Sequence, residues 1–385
     1  MTMQSRARSL GIRIGQGEPG ALNAITDVPG VRVGHAEAWA DFADGRRART
    51  GVTVVEPRPG LARHAPCFAG VHVLNGNGDA SGLEWLREAG MLTTAIALTN
   101  THSVGVVRDA LIVGEREAVA GEPQLYWTMP VVLETFDGLL NDINGFHVTA
   151  EHARAAQRAA SGGLPAEGSV GGGSGMICHE FKGGIGTASR RLPAAAGGWT
   201  VGALLQANHG KRGSLLVEGY PVGRHLSCER IPSPFEQRRL PQPGMGSIVV
   251  VLATDAPLLP EQCRRLAQRA AIGIARTGGG TEDSSGDIFV AFATGNRDLP
   301  VSDYADKGPL CSEVRMVNAD HLSPLFEAAA EAVEEAIVNA LLAAGDMRGN
   351  HGHAAHGLTQ QQLLTALDAC GWRPREPARR FGAAR

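Results

Sequence analysis

The chain has 385 residues, of which 43% are hydrophobic and only 5% aromatic. That is enough apolar material for one large or two ordinary domains. With 36 Lys and Arg against 39 Asp and Glu the net charge is −3, so there is no cationic surplus to hold nucleic acid by counterion release. No segment is long and apolar enough to span a bilayer, and the first 15 residues, MTMQSRARSLGIRIG, lack an apolar run of signal-peptide length. A soluble cytoplasmic protein is expected, with no membrane and no nucleic acid among its partners.

Taken in order, 21–35 (ALNAITDVPGVRVGH) predicts a short strand-like entry with a turn at Pro29-Gly30. Residues 51–57 and 67–76 are Val-rich, closed by Pro or Gly, and predict strands. Asn75-Gly76-Asn77-Gly78-Asp79 predicts a loop. Ser81 is positioned to cap a short helix that ends at Gly90. A buried strand is expected at 93–101, and an amphipathic helix at 104–120 with Val104, Val107, Leu111 and Val119 on one side. Residues 124–136 predict a strand running into Glu134-Thr135-Phe136-Asp137-Gly138, followed by a helix at 150–160. A glycine-dense tract at 168–175 leads to Phe181-Lys182-Gly183-Gly184, and two strands are expected at 199–210 and 214–223.

The proline-rich stretch 228–245 predicts a linker. Directly after it, Gly244-Met245-Gly246-Ser247 opens the unbroken apolar run Ile248–Ala253, the mark of a strand buried on both faces. Pro260 starts a helix carrying Leu266, Ala270 and Ile274 inward and stopping at Gly278. A loop at 278–286 leads into a strand at 287–296. Ser323-Pro324 caps the longest helix, whose stripe Leu325, Ala329, Val333, Ile337 and Leu341 faces the core while Glu331, Glu334 and Glu335 face solvent. The last thirty residues are polar and are expected to be partly ordered. Strands come in runs and helices in sets, which predicts α+β sheets covered by helix layers rather than a regular βαβ series.

Six scattered cysteines without a CxxC pair predict reduced thiols. The glycine tract at 168–186 lacks GxxxxGK[ST], and the nearest dinucleotide pattern has Ser189 in place of its last glycine, so a nucleotide cofactor is not expected. Bare backbone there suits close chain approach or donation to an oxyanion. His351, His353 and His356 lie in a polar segment without acidic or cysteine neighbours and predict a solvated tail, with no metal expected.

Ser247 stands at the mouth of a central strand, where it serves either as a nucleophile or as an ordinary turn residue. Ser284, Ser285 and Asp287 stand at the mouth of another strand. If the two strands are neighbours, a hydroxyl and a carboxylate converge on Ser247; otherwise this is a serine-rich turn. Asn208 ends its strand, where the amide can donate to an oxyanion or shape a turn. Glu134 ends an apolar run, where the carboxylate can hold an ammonium group or a surface ion pair.

The motifs ITDVPGVRVGH, NGNGDASGLEWL, LTNTHSVGVV, GSVGGGSGMICHEFKGGIGTASR, VGALLQANHG, GYPVGR, GSIVVVLATDAPLLP, SGDIFVAF and EAVEEAIVNALLAA, spread from about residue 21 to 358, resemble those of peptidase family S58. This is the D-aminopeptidase/esterase and β-peptidyl aminopeptidase family. The resemblance implies a four-layered αββα sandwich shared with ornithine acetyltransferases, in one domain spanning 1–385. It implies a chain that cuts itself between Gly246 and Ser247 into 1–246 and 247–385, and assembly into tetramers of processed pairs. Ser247 would be the nucleophile, with its freed α-amine as base. By the same resemblance Ser285 and Asp287 orient that amine, Asn208 stabilises the oxyanion, and Glu134 receives the substrate's amino group. A family tyrosine aligns with Phe136, which lacks a hydroxyl. Short peptides, amides or esters of L-, D- or β-amino acids are the implied substrates, without metal or cofactor. An acyltransferase of the same fold is the alternative, against which Ser247 in place of threonine argues. A non-catalytic homologue binding amino compounds is the other.

Overall fold

Along residues 247–254 successive side chains alternate between two apolar clusters. Ile248, Val250 and Leu252 pack with Leu266, Leu325, Val333 and Ile337, whereas Val249, Val251 and Ala253 pack with Ile96, Leu98, Val131 and Leu133. A strand points its side chains to opposite faces in turn, so this one is covered by helices on one side and by a second sheet on the other.

The structure is a computed structural model that describes residues 6–121, 126–235, 244, 246–300 and 308–374. In chain order it contains β1 (Arg32–Asp41), β2 (Arg47–Glu56), β3 (Cys67–Gly76), β4 (Ala80–Ser81), α1 (Leu83–Ala89), β5 (Met91–Leu92), β6 (Ile96–Asn100), α2 (Val104–Ala118), β7 (Val131–Thr135) and α3 (Ala150–Arg158). There follow β8 (Ile177–Cys178), β9 (Phe181–Lys182), β10 (Gly184–Arg191), β11 (Thr200–Asn208), β12 (Ser247–Thr254), α4 (Pro260–Ala267), α5 (Ala270–Arg276), β13 (Gly286–Ala293), α6 (Ser323–Ala343), β14 (Met347–Arg348), β15 (Ala354–Ala355) and α7 (Gln360–Ala369).

Strands β10-β11-β12-β13-β3-β5 form a six-stranded sheet, and β1-β2-β6-β7-β4 a five-stranded one. A third cluster, with Val52, Val54, Ala97 and Val132 against Val107, Leu111, Ala153 and Ala156, seats α2 and α3 on the outer face of the smaller sheet. The layers are therefore helix, sheet, sheet, helix, the expected αββα sandwich. Strands β12 and β13 lie between β11 and β3, so the segments before and after residue 246 share one sheet and one core.

Several local expectations change. Of 124–136, residues 124 and 125 lie outside the described residues and only Val131–Thr135 form a ladder. The entry strand begins at Arg32, after a short turn at Ile25–Asp27. Ser81 does not cap α1: the cap is Gly82, and the Ser81 hydroxyl donates to Pro130 O at 2.8 Å. The 214–223 segment is not a strand. Consecutive left-handed residues Glu218 and Gly219 turn the chain so tightly that only the Val217–Tyr220 bridge forms. The helix expected from Pro260 to Gly278 divides into α4 and α5, tightened at Arg269 by an i→i−3 bond to Leu266 O. Half of the linker expected at 228–245, residues 236–243 and 245, falls outside the described residues.

Two larger corrections concern charge. Glu331, Glu334 and Glu335 are buried, because the amino-terminal segment and α5 cover the face of α6 that periodicity assigns to solvent. Gln16 and Gly17 donate their N–H groups to Glu331, Arg8 donates to Glu335, and buried Arg190 reaches Glu331 at 2.9 Å and Glu335 at 2.7 Å. The stretch around His351–His356 is not a solvated tail. Arg348 and Met347 pair with Ala354 and Ala355, and His356 O accepts from Lys182 N at 2.7 Å. Helix α7 then buries Leu363, Ala366 and Leu367.

Candidate active site

Three strand ends lie abreast at one edge of the larger sheet. Asn208, the last residue of β11, pairs with Ser247, the first of β12, and Ser247 pairs with Gly286, the first of β13. Side chains two apart in a strand share a face, so Ser247 faces the second sheet along with Val249, and Asn208 does so along with Gln206. Gln206 reaches Thr99 O at 2.9 Å and Thr135 Oγ1 at 2.8 Å across the gap. Asn208 is fixed at both ends: its Oδ1 accepts from Ile177 N at 2.7 Å, and its Nδ2 donates to Phe136 O at 2.8 Å. One N–H of that amide remains beyond the bond to Phe136.

The Ser247 hydroxyl lies against the peptide group that precedes it. Its Oγ is 2.7 Å from Gly246 O. The Gly286 N–H points at both oxygens, 3.2 Å from Ser247 Oγ and 3.2 Å from Gly246 O. An N–H donor in this place polarises the Gly246 carbonyl. Position 246 has no room for a side chain, since a Cβ there would stand 1.9 Å from Asn208 O and 3.3 Å from Asn208 Nδ2. Ser285 and Asp287 flank Gly286 and bond to each other, Oγ to Oδ1 at 2.6 Å. Burial raises the Asp287 carboxyl above its usual range, and the Ser285 hydroxyl partly offsets this.

A cavity of about 550 Å³ opens beside Ser247, bounded by Gly246, Asp79, Thr101, Glu134, Phe136 and Ser284. Glu134 is buried near the end of β7. Its Oε1 accepts from Asp79 N at 2.8 Å and its Oε2 from Thr101 Oγ1 at 2.5 Å. Burial holds its carboxyl above the ordinary range, and the neighbouring Asp79 charge adds to that. A cation entering the cavity would relieve both effects. Phe136 is 42% exposed and presents its ring to the same cavity. The loop at 75–79 is tied across the site, with Asn77 Nδ2 donating to Ser284 O and Asn75 Nδ2 donating to Asp283 O, both at 2.7 Å.

Residues 23–355 match peptidase family S58. The chain belongs to this family. It is 47% identical over 373 residues to the β-peptidyl aminopeptidase BapA of Sphingosinicella microcystinivorans, covering 94% of this chain and 91% of that one. Among solved structures it is similar to a β-aminopeptidase from Burkholderia sp., with 65% identity, a TM-score of 0.90, and 96% and 100% of the two chains covered. It is similar also to the L-aminopeptidase D-Ala-esterase/amidase of Ochrobactrum anthropi, described as a prototype for the serine aminopeptidases and a new variant of the Ntn hydrolase fold. There the identity is 41%, the TM-score 0.85, and the coverage 95% and 99%. These relations place the chain among the family's aminopeptidases, hydrolases of the N-terminal-nucleophile type.

Sequence reasoning missed three parts of this S58 site. The Gly286 N–H carries no side-chain signal. Asp79 and Thr101, which fix Glu134, come from loops far from it in sequence. Asp137, next to Phe136, is fully buried, and burial pushes its carboxyl up to about 7, against the lowering effect of Thr50, Asn141 and Asn100. Because the folded state favours the protonated form, its contribution to stability is complete below about pH 4 and is lost as pH rises through 7. In urea unfolding, the wild type is expected to lose stability between pH 5 and pH 8. Asp137→Asn should lose less, the difference being on the order of a few kcal/mol. Equal pH slopes for the two proteins would contradict a buried neutral Asp137.

Proposed function

We propose that this chain is a self-processing aminopeptidase that cuts itself between Gly246 and Ser247 and then uses Ser247 as its nucleophile. The single observation that carries the reading is Ser247 Oγ lying 2.7 Å from Gly246 O, with the Gly286 N–H directed at both. In the first step Oγ attacks the Gly246 carbonyl carbon, and the carbonyl oxygen takes up charge facing the Gly286 N–H. The C–N bond breaks, the nitrogen keeps the electron pair and gains a proton, and an ester links Gly246 to Ser247 Oγ. Water then hydrolyses the ester and leaves Ser247 with both a free hydroxyl and a free α-amine.

That amine has an ordinary pKa of about 7.7–8.0 and is partly neutral near pH 7. It takes the Oγ proton as Oγ attacks a substrate carbonyl, then passes the proton to the leaving amine. Water releases the acyl group in a second round. Asn208 Nδ2 and the Gly286 N–H are the oxyanion donors in this reading, and the bonded Ser285–Asp287 pair orients the amine. Glu134 receives the substrate's ammonium group, which confines cleavage to the amino-terminal residue. Small peptides, amides and esters are the substrates. Relatives named as β-aminopeptidases support including β-amino acids at the amino terminus. Assembly as a tetramer of processed pairs and a cytoplasmic location belong to the same reading.

The experiment is a panel of p-nitroanilides carrying L-, D- and β-aminoacyl groups, each with a free and an acetylated amine. Release from free-amine β-aminoacyl substrates, with none from the acetylated forms, is expected. Hydrolysis of acetylated and free forms alike would remove the assigned role of Glu134. The glycine before the cut supplies a second test. Gly246→Ala forces Asn208 or the 246 backbone to move, and processing is expected to slow at least about tenfold, since small misplacements of reacting groups cost that much or more. The readout is the fraction of intact chain on denaturing gels over time.

A further inference from the structure

Behind the oxyanion arm lies a group of side chains that the peptidase chemistry leaves unused. Cys178, His179 and His209 are all buried, and one donor atom from each lies within 4.8 Å of the others. Cys178 and His179 come from the β8–β9 turn, and His209 follows the last residue of β11. A backbone bond from His179 N to His209 O at 2.7 Å joins the two segments. The Cys178 Sγ is already 3.9 Å from His209 Nδ1.

Among the described residues, two buried nitrogens here, His179 Nε2 and His209 Nε2, have no hydrogen-bond partner. A buried polar atom left unpaired costs about 1–3 kcal/mol, so two in one cluster call for an occupant. His179 Nδ1 sits 3.0 Å from Lys211 O. Donation of its N–H there leaves the Nε2 lone pair for a ligand, the arrangement that metal-ligating histidines commonly show. Both rings occupy niches that only glycine leaves open. A Cβ at Gly210 would be 2.5 Å from the His179 ring, and one at Gly279 would be 2.5 Å from the His209 ring. The turn is held at some expense of backbone energy, because His179 and Glu180 are consecutive non-glycine residues in the left-handed region, at φ 48° and 64°.

We propose that Cys178, His179 and His209 bind a zinc-class transition-metal ion that ties the β8–β9 turn to the end of β11. A cysteine sulfur, which gives up its proton as the ion binds, and two imidazole nitrogens suit Zn2+ or Co2+ and disfavour the hard ions Mg2+ and Ca2+. Zinc-to-ligand distances of about 2.0–2.3 Å need the three donors to close inward by roughly 1 Å. The consequence reaches the active site through covalent neighbours. Ile177 precedes Cys178 and donates to Asn208 Oδ1, and Asn208 precedes His209. An ion at this cluster therefore clamps both strands that hold the Asn208 amide.

The test uses the whole enzyme, expressed in medium supplemented with cobalt so that the buried site fills during folding. One Co2+ per chain is expected, with a near-ultraviolet thiolate-to-cobalt band that disappears in Cys178→Ser and persists in Cys311→Ser, whose thiol is exposed. Zinc-loaded protein should show one sulfur and two nitrogen scatterers by X-ray absorption, and a Tm several degrees above that of chelator-treated protein. Should Cys178→Ser fail to fold, His209→Gln gives the same comparison, with the band lost or displaced. Absence of a band at one equivalent, a band that survives both variants, or an absorption spectrum with oxygen ligands alone would overturn the proposal.

Discussion

Replacing Ser247 with alanine is expected to yield a single 385-residue chain that stays intact and has essentially no amidase activity. Two effects combine in one atom. In the proposed reading the hydroxyl against Gly246 O is the attacking group in self-cleavage, so without it the peptide bond persists. An intact bond keeps the nitrogen of residue 247 an amide, which is no base. The enzyme loses nucleophile and base together, and a fall in kcat/KM of about 10⁴-fold or more is expected, as for other nucleophile deletions. The fold should survive, because only one hydroxyl is removed from a strand whose other seven residues are apolar or pair normally. Circular dichroism with denaturing gels separates this outcome from simple misfolding. Cleavage of the Ser247→Ala chain at wild-type rate would show that the attacking group is elsewhere.

The second large effect is expected at Glu134. Glu134→Gln keeps the size of the side chain and an acceptor for Thr101 or Asp79 N–H, but removes the charge that faces the cavity. Truncating one partner of a buried charge pair costs about 2–5 kcal/mol, so kcat/KM for free-amine substrates should drop by about 30-fold to several thousand-fold, mainly through KM. Activity on an acetylated substrate, already low, should be nearly unchanged, and the ratio between the two substrates should collapse toward unity. Self-cleavage should proceed, since the Gly246 carbonyl is activated from the other side of the site by Gly286. A variant that loses cleavage and hydrolysis alike would place Glu134 in the folding of the site rather than in substrate capture.

The sequence carried much of the architecture because its strongest signals are local. The run Ile248–Ala253 alternates between two buried faces with no polar break, and glycine and proline punctuate the strands on either side. The place of Ser247 at a strand mouth was legible for the same reason: Gly-Ser before such a run is visible without knowing any partner, although the run alone leaves a nucleophile and a turn residue equally readable. What stayed hidden depends on distant segments. A helical period cannot see that residues 6–17 and α5 cover α6, so Glu331, Glu334 and Glu335 read as a solvent face, whereas Glu331 and Glu335 accept from Arg8, Arg190 and backbone N–H groups and Glu334 pairs with Arg276. Glu134 was visible as a carboxylate at a strand end, but its clamps, Asp79 N and Thr101 Oγ1, come from loops in other parts of the chain. The Gly286 N–H is invisible to any reading of side chains. The polar stretch around His351 looked like a tail because the pairing of Met347 and Arg348 with Ala354 and Ala355 is only two residues long on each strand, too short for a period to show.

The central claim is that one peptide bond is broken to create a residue that both attacks and accepts the proton. Amino-terminal sequencing of the active enzyme tests it most directly. Two termini are predicted, one of them reading Ser-Ile-Val-Val from residue 247. A fully active preparation with one uncut chain, or a second terminus beginning at any other residue, would contradict it.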